Sequence, residues 1–160
     1  MRIVYCSETG FTKRYAQLLH DKTGLPVLSL EEAEQTLEQG STAVFLGWLC
    51  AGSLQGLKRA KKRFHLKAVC AVGMADAYDA AALASRSGLG NTPVFYLRGG
   101  YAPDKLRGVH KAMMAVAEKA IAGKAKKAQN GQEMIDAMEH GADWVDPVQL
   151  EAVANLLNNT

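Results

Sequence analysis

The residues best placed to do chemistry lie near the start of the chain, where Ile3-Val4-Tyr5-Cys6 runs into Ser7-Glu8-Thr9-Gly10-Phe11-Thr12. The first four residues have strand propensity, and Phe11 through Asp21 reads as a helix. A strand-to-helix turn leaves backbone N–H groups unpaired at the positive end of the helix dipole, which suits an anion. Ser7, Thr9 and Thr12 add three hydroxyls, and Gly10 lets the backbone close around a guest. The loop carries no lysine, so it is not the GxxxxGK[ST] nucleotide cradle, and it lacks the GxGxxG spacing of a dinucleotide site. What remains is a neutral pocket for a terminal phosphate monoester. Plain helix capping by Ser, Thr and Gly is the alternative use of the same residues.

Such a loop works only if strands and helices hold it open at a sheet edge. Strand-like runs at Arg2–Cys6, Pro26–Leu30, Ala43–Gly47, Ala68–Gly73 and Pro93–Leu97 alternate with helical stretches at Phe11–Asp21, Glu31–Gln39, Leu54–Phe64 and Asp76–Ser87. Apolar strands alternating with helices predict an α/β domain with a parallel sheet covered on both faces. Right-handed crossovers gather the loops that follow the strands on one edge. After the turn cluster Arg98–Pro103 the pattern predicts a long helix from about Asp104 to Ile121, ended by Gly123. A basic connector, Lys124–Gln129, and a short helix at Gln132–Glu139 follow. A last helix runs to about Leu157, with Asp146 as N-cap, Pro147 at its first position and Trp144 anchoring it to the core.

The chain has 160 residues, 48% of them hydrophobic and 22% charged, which fits a single globular domain over 1–160. No apolar run is long enough to span a bilayer and no leader-like start is present, so the expected location is cytoplasmic. Cys6, Cys50 and Cys70 form an odd set without CxxC spacing, which argues against a disulfide framework or a metal site. Cys6 and Cys70 are expected to pack as small apolar residues. Net charge is +3, yet Lys58, Arg59, Lys61, Lys62, Arg63, His65 and Lys67 crowd one segment. They form a solvated helix face, or a surface for an acidic partner, a carboxylate-bearing substrate or anionic headgroups in peripheral membrane contact. No nucleic-acid module or aromatic interleaving accompanies them.

The S-x-T-G-x-T turn after the first strand resembles the phosphate loop of the flavodoxin family, whose guest is FMN. The run Val94-Phe95-Tyr96-Leu97-Arg98-Gly99-Gly100-Tyr101, then Asp104-Lys105-Leu106 and Lys111-Ala112-Met113-Met114, is similar to flavodoxin-domain proteins related to menaquinone-dependent protoporphyrinogen dehydrogenase. The closing Asp143-Trp144-Val145-Asp146 and Val153-Ala154-Asn155 resemble the same subgroup. The resemblance implies a flavodoxin-like three-layer sandwich with a five-stranded parallel sheet in the order 2-1-3-4-5. It also implies that Ser7, Glu8, Thr9, Gly10, Phe11 and Thr12 hold the FMN phosphate. Trp48, Leu49, Cys50, Ala51 and Gly52 after strand 3, and Gly73, Met74, Ala75 and Asp76 after strand 4, would then line the ring and tune its potential.

The likeness departs at the stacking positions. Ala51, and Met74 or Ala75, stand where electron carriers of the family place aromatic residues, and the sequence pI near 8.8 is basic where those carriers are acidic. Trp48, Tyr78 or Tyr101 would have to stack instead. The implied activity is FMN-dependent oxidoreduction with no obligatory catalytic side chain. Its partner would be a redox protein, or a quinone- or porphyrinogen-type small molecule. A flavin-free α/β interaction module that has lost FMN is the alternative. Met113, Met114 and Val116 read as core, His110 as a surface or capped histidine and Cys50 as a bystander thiol.

Overall fold

Neighbouring residues of a strand point to opposite faces, so a strand covered on both sides reads as an unbroken apolar run. The computed structural model describes residues 1–125 and 131–159 and divides these runs between two cores. Ile3, Val44, Leu46, Ala68, Cys70 and Leu97 share one buried cluster with Tyr15, Leu19 and Leu157. Val4, Ala43, Phe45, Val69 and Ala71 share another with Leu30, Leu57 and Leu83.

In chain order the first half comprises β1 (Arg2–Tyr5), α1 (Phe11–Thr23), β2 (Val27–Ser29), α2 (Leu30–Thr36), β3 (Thr42–Cys50) and β4 (Ser53–Leu54). There follow α3 (Leu57–Arg63), β5 (His65–Gly73), α4 (Ala80–Arg86), β6 (Val94–Arg98) and β7 (Gly100–Tyr101). The chain ends with α5 (Gly108–Ala125), α6 (Gly131–His140), β8 (Ala142–Asp143) and α7 (Glu151–Asn158). The central sheet runs β2-β1-β3-β5-β6 with every neighbouring pair parallel. Helices α1 and α7 cover one face, and α2, α3 and α4 the other. The expected α/β architecture is present, and the five parallel strands follow the order 2-1-3-4-5 of the five strand-like runs.

Strand count needs correcting. β4 pairs antiparallel with the end of β3, making a sixth strand, and β7 pairs with β8 in a separate two-stranded sheet. β3 runs on to Cys50, so much of the expected strand-3 loop is strand. Only Ala51 and Gly52 turn, both at positive φ, 48° and 77°. Positive φ at both central residues is the mark of a two-residue hairpin whose twist matches its strands.

Several helix bounds move for local reasons. Asp79, not Asp76, starts α4, its Oδ1 accepting from the Ala82 amide at 2.8 Å. α3 begins only after Gly56, because Ser53 and Leu54 belong to the hairpin. Residues 103–105 form a separate 3-10 turn before α5, and Gly123 lies within α5 rather than ending it. Asp146 and Pro147 open a 3-10 turn at Pro147–Leu150, and α7 follows. Of the expected basic connector, residues 126–129 lie outside the described residues. No helix of the described residues is long and apolar enough to cross a membrane.

The C-terminal segment fastens the end of β6. The Tyr15 hydroxyl, fully buried, donates to the Arg98 carbonyl at 2.6 Å. Gln149 accepts from the Arg98 amide at 2.6 Å, and the Trp144 amide donates to Gly99 O at 2.8 Å. The Trp144 ring does not dock in the core. It lies under the Arg98 guanidinium at 3.8 Å, and its indole N–H donates to Glu133 at 3.0 Å.

Candidate functional site at the sheet edge

Strand β1 hands over to α1 through a loop whose own side chains leave most of its amides free. The Cys6 amide still joins the ladder, donating to Leu46 O at 2.9 Å. Ser7 Oγ accepts from the Gly10 amide at 3.2 Å, folding the loop back on itself. Gly10 sits at φ 100°, where a side chain is strained, and a Cβ there would meet nothing within 4 Å. Helix α1 makes its first backbone bond from the Arg14 amide to Gly10 O, at 3.0 Å. Among the described residues, the amides of Glu8, Thr9, Phe11, Thr12 and Lys13 donate to no protein acceptor. Five unpaired donors at the head of a helix are what an anion would use.

The three expected loops meet. A cavity of about 50 Å³ is lined by Glu8, Thr9, Phe11 and Thr12 from the first loop, by Trp48 and Leu49 of β3, and by Gly73 and Met74 at the end of β5. The other expected residues fall elsewhere. Gly10 opens onto an outer cleft of about 500 Å³ with Lys13, Arg14 and Lys105. Ala51 and Gly52 face a groove on α3 and α4. The Ala75 carbonyl accepts from Tyr96 at 2.7 Å, and Asp76 pairs with Arg98 at 2.7 Å.

Cys50 is buried with Tyr101, Leu106 and Met114. Burial, with a smaller push from Glu8, raises its thiol above the usual range and keeps it protonated. A protonated, enclosed thiol packs as a small apolar group.

What closes the cavity is the part of the chain least legible in the sequence. Gly100, Tyr101, Leu106 and Met114 form its remaining wall, carried by β7, the following turn and α5. Tyr101 is 5% exposed, and its hydroxyl donates to Glu118. His110 is not a free surface group. Its Nδ1 lies 3.2 Å from Glu8 Oε2, and its ring meets Trp48 edge-on at 4.9 Å between centroids. Of the three residues read as core on α5, only Met114 is buried. Met113 is 39% exposed and Val116 73%. Val72, Gly100, Leu106 and Met114 were missed at this site. The one signal was the apolar spacing of Leu106 and Met114, which fits an ordinary core equally well.

The residues fit FMN at one end. The unpaired amides and the hydroxyl-bearing loop suit its phosphate, although the same loop carries the Glu8 carboxylate, which faces His110. At the ring end the fit fails as the chain stands, because about 50 Å³ is far below the roughly 300–1,000 Å³ of a small-molecule pocket. Trp48, Tyr101, Leu106 and Met114 close around this small cavity. No group of His, Cys, Asp and Glu among the described residues is arranged to hold a metal ion. Compared with protein-family models, curated proteins and solved structures, the chain matches none of them.

Proposed function

We propose that the chain is an FMN-binding, flavodoxin-like oxidoreductase in which the first loop holds the phosphate. The observation that carries this reading is the meeting of the loop after β1 with the ends of β3 and β5 at one cavity, beside five unpaired amides. In an open parallel α/β sheet this edge, at the switch point between β1 and β3, is where ligands bind. Bound FMN would supply electron or hydride transfer, with a redox protein or a quinone- or porphyrinogen-type molecule as partner.

The protein's own part is positional. Ser7, Thr9, Gly10 and Thr12 would hold the anion, and Trp48 and Met74 would meet the cofactor from β3 and β5. The wall from β7 and α5 has to lift for the ring to enter. It is tied to the first loop by the partly exposed Glu8–His110 pair, which contributes at most about 1 kcal/mol, and by the Phe11 ring packed against Gly100. The size of the closed cavity favours a second reading, a flavin-free module of the same fold that uses this edge only for packing.

A visible absorption spectrum decides between them. Protein mixed with FMN and desalted is expected to keep the flavin bands, and Thr9→Glu, which puts a second carboxylate into the loop, is expected to lose them with unchanged circular dichroism. Colourless protein after desalting would reject the flavoprotein reading and leave the interaction module.

A further inference from the structure

The basic run on α3, which the sheet-edge site does not use, is sorted by the fold into neutralised and uncompensated charges. Arg59 is paired with Glu31 at 3.0 Å and with Glu34 at 2.5 Å. Arg63 is spent on the carbonyls of Glu34 and Leu37 and on Gln39. Lys58 and Lys61 instead line an open groove of about 650 Å³ between the β3–β4 hairpin, α3 and α4, and Arg86 faces them from α4. The volume is that of a small-molecule site.

The cations in this groove are oriented by neutral groups. Lys61 Nζ donates to the carbonyls of Ser87 and Gly88 at the end of α4. Arg86 donates to Gly52 O at 2.9 Å and to the Tyr78 hydroxyl, with its guanidinium 5.6 Å from the Tyr78 ring. Tyr78 is held in turn by stacking on Tyr96, with centroids 5.3 Å apart. Lys58 takes no partner among the described residues, and none of the described residues lining the groove is acidic. Carbonyls and a hydroxyl fix two cations without cancelling their charge, so the field of all three remains for a guest. Ser53 and Ser87 also line the groove.

We propose that this groove binds a small polyanion carrying two or more phosphate or carboxylate groups, at a site separate from the sheet-edge cavity, with which it shares no lining residue. One anionic group would meet Lys58 and Lys61, and another Arg86, whose planar guanidinium has further N–H donors to offer.

Inorganic pyrophosphate and citrate, titrated separately into the protein by calorimetry at low salt, test this. Saturable one-to-one binding below a millimolar is expected for at least one of them, and which one binds tells phosphate from carboxylate. Lys58→Glu is expected to weaken that binding at least tenfold. Lys62→Glu makes the same change of charge on the same helix outside the groove, and is expected to weaken it less than threefold. Equal losses in the two variants would mean a diffuse surface field rather than a site. That result, or no saturable binding of either anion, would overturn the proposal.

Discussion

At the scale of single residues, burial decides chemistry more than residue type does. Cys70 is fully buried on β5, and burial alone pushes its thiol up to about 12. Cys6 and Cys50 are raised too, burial being the largest cause in each. A thiol whose folded pKa lies above its unfolded value keeps its proton in the native state after the unfolded chain has lost it. Its contribution is complete below the unfolded pKa and fades as pH rises. Between about pH 9 and pH 12, Cys70 alone should therefore cost stability at up to about 1.4 kcal/mol per pH unit. Urea titrations across this window are expected to show the decline, with a shallower slope for Cys70→Ala. The difference in slope between the two proteins isolates Cys70, since Cys6, Cys50, Tyr5, Tyr15, Tyr96 and Tyr101, which burial also raises, are the same in both. An unchanged slope in the variant would mean that Cys70 ionises normally in the native state.

At the scale of elements, the β3–β4 hairpin sets the geometry of two sites. Leu49, beside the sheet-edge cavity, pairs with Leu54, which lines the basic groove. The turn between them puts Ala51 at φ 48°, alone among the described non-glycine residues in lying at positive φ. Left-handed backbone costs an alanine roughly 1–2 kcal/mol, whereas glycine enters it freely. Ala51→Gly is expected to raise stability by about 0.5–1 kcal/mol after the added chain entropy of glycine is subtracted. The measurement is a shift of the urea midpoint at unchanged slope. A lower midpoint would show that the turn relaxes without strain.

At the scale of the whole molecule, one sheet divides two cores, and Phe45 is the largest fully buried side chain of the α2–α3–α4 side. Deleting a buried phenyl ring costs about 3–5 kcal/mol, a large share of the roughly 5–15 kcal/mol that holds a domain together. Phe45→Ala is therefore expected to bring unfolding close to ambient conditions. Its thermal transition should stay single if the two cores melt as one unit through β3, and should split if they do not.

The sequence by itself determined the layers, because a parallel sheet covered twice must be written as apolar strands alternating with helices. It also placed the first loop between a strand and a helix, where hydroxyls and a glycine suit an anion site and a helix cap alike. Tertiary structure decided the rest. Whether Gly47–Cys50 was loop or strand depended on β4 folding back, a pairing of two residues that carries almost no local signal. Trp48, Tyr78 and Tyr101 were equal candidates to face a ring until packing separated them. Trp48 and Tyr101 went to the cavity, and Tyr78 to Tyr96 and the basic groove. The wall over the sheet edge is made by residues such as Leu106 and Met114, whose spacing serves a core and a cap alike. Only the path of the chain between them says which. The same holds for charge: Lys58 and Arg59 are neighbours in sequence, and one turns to solvent while the other turns to two glutamates on α2.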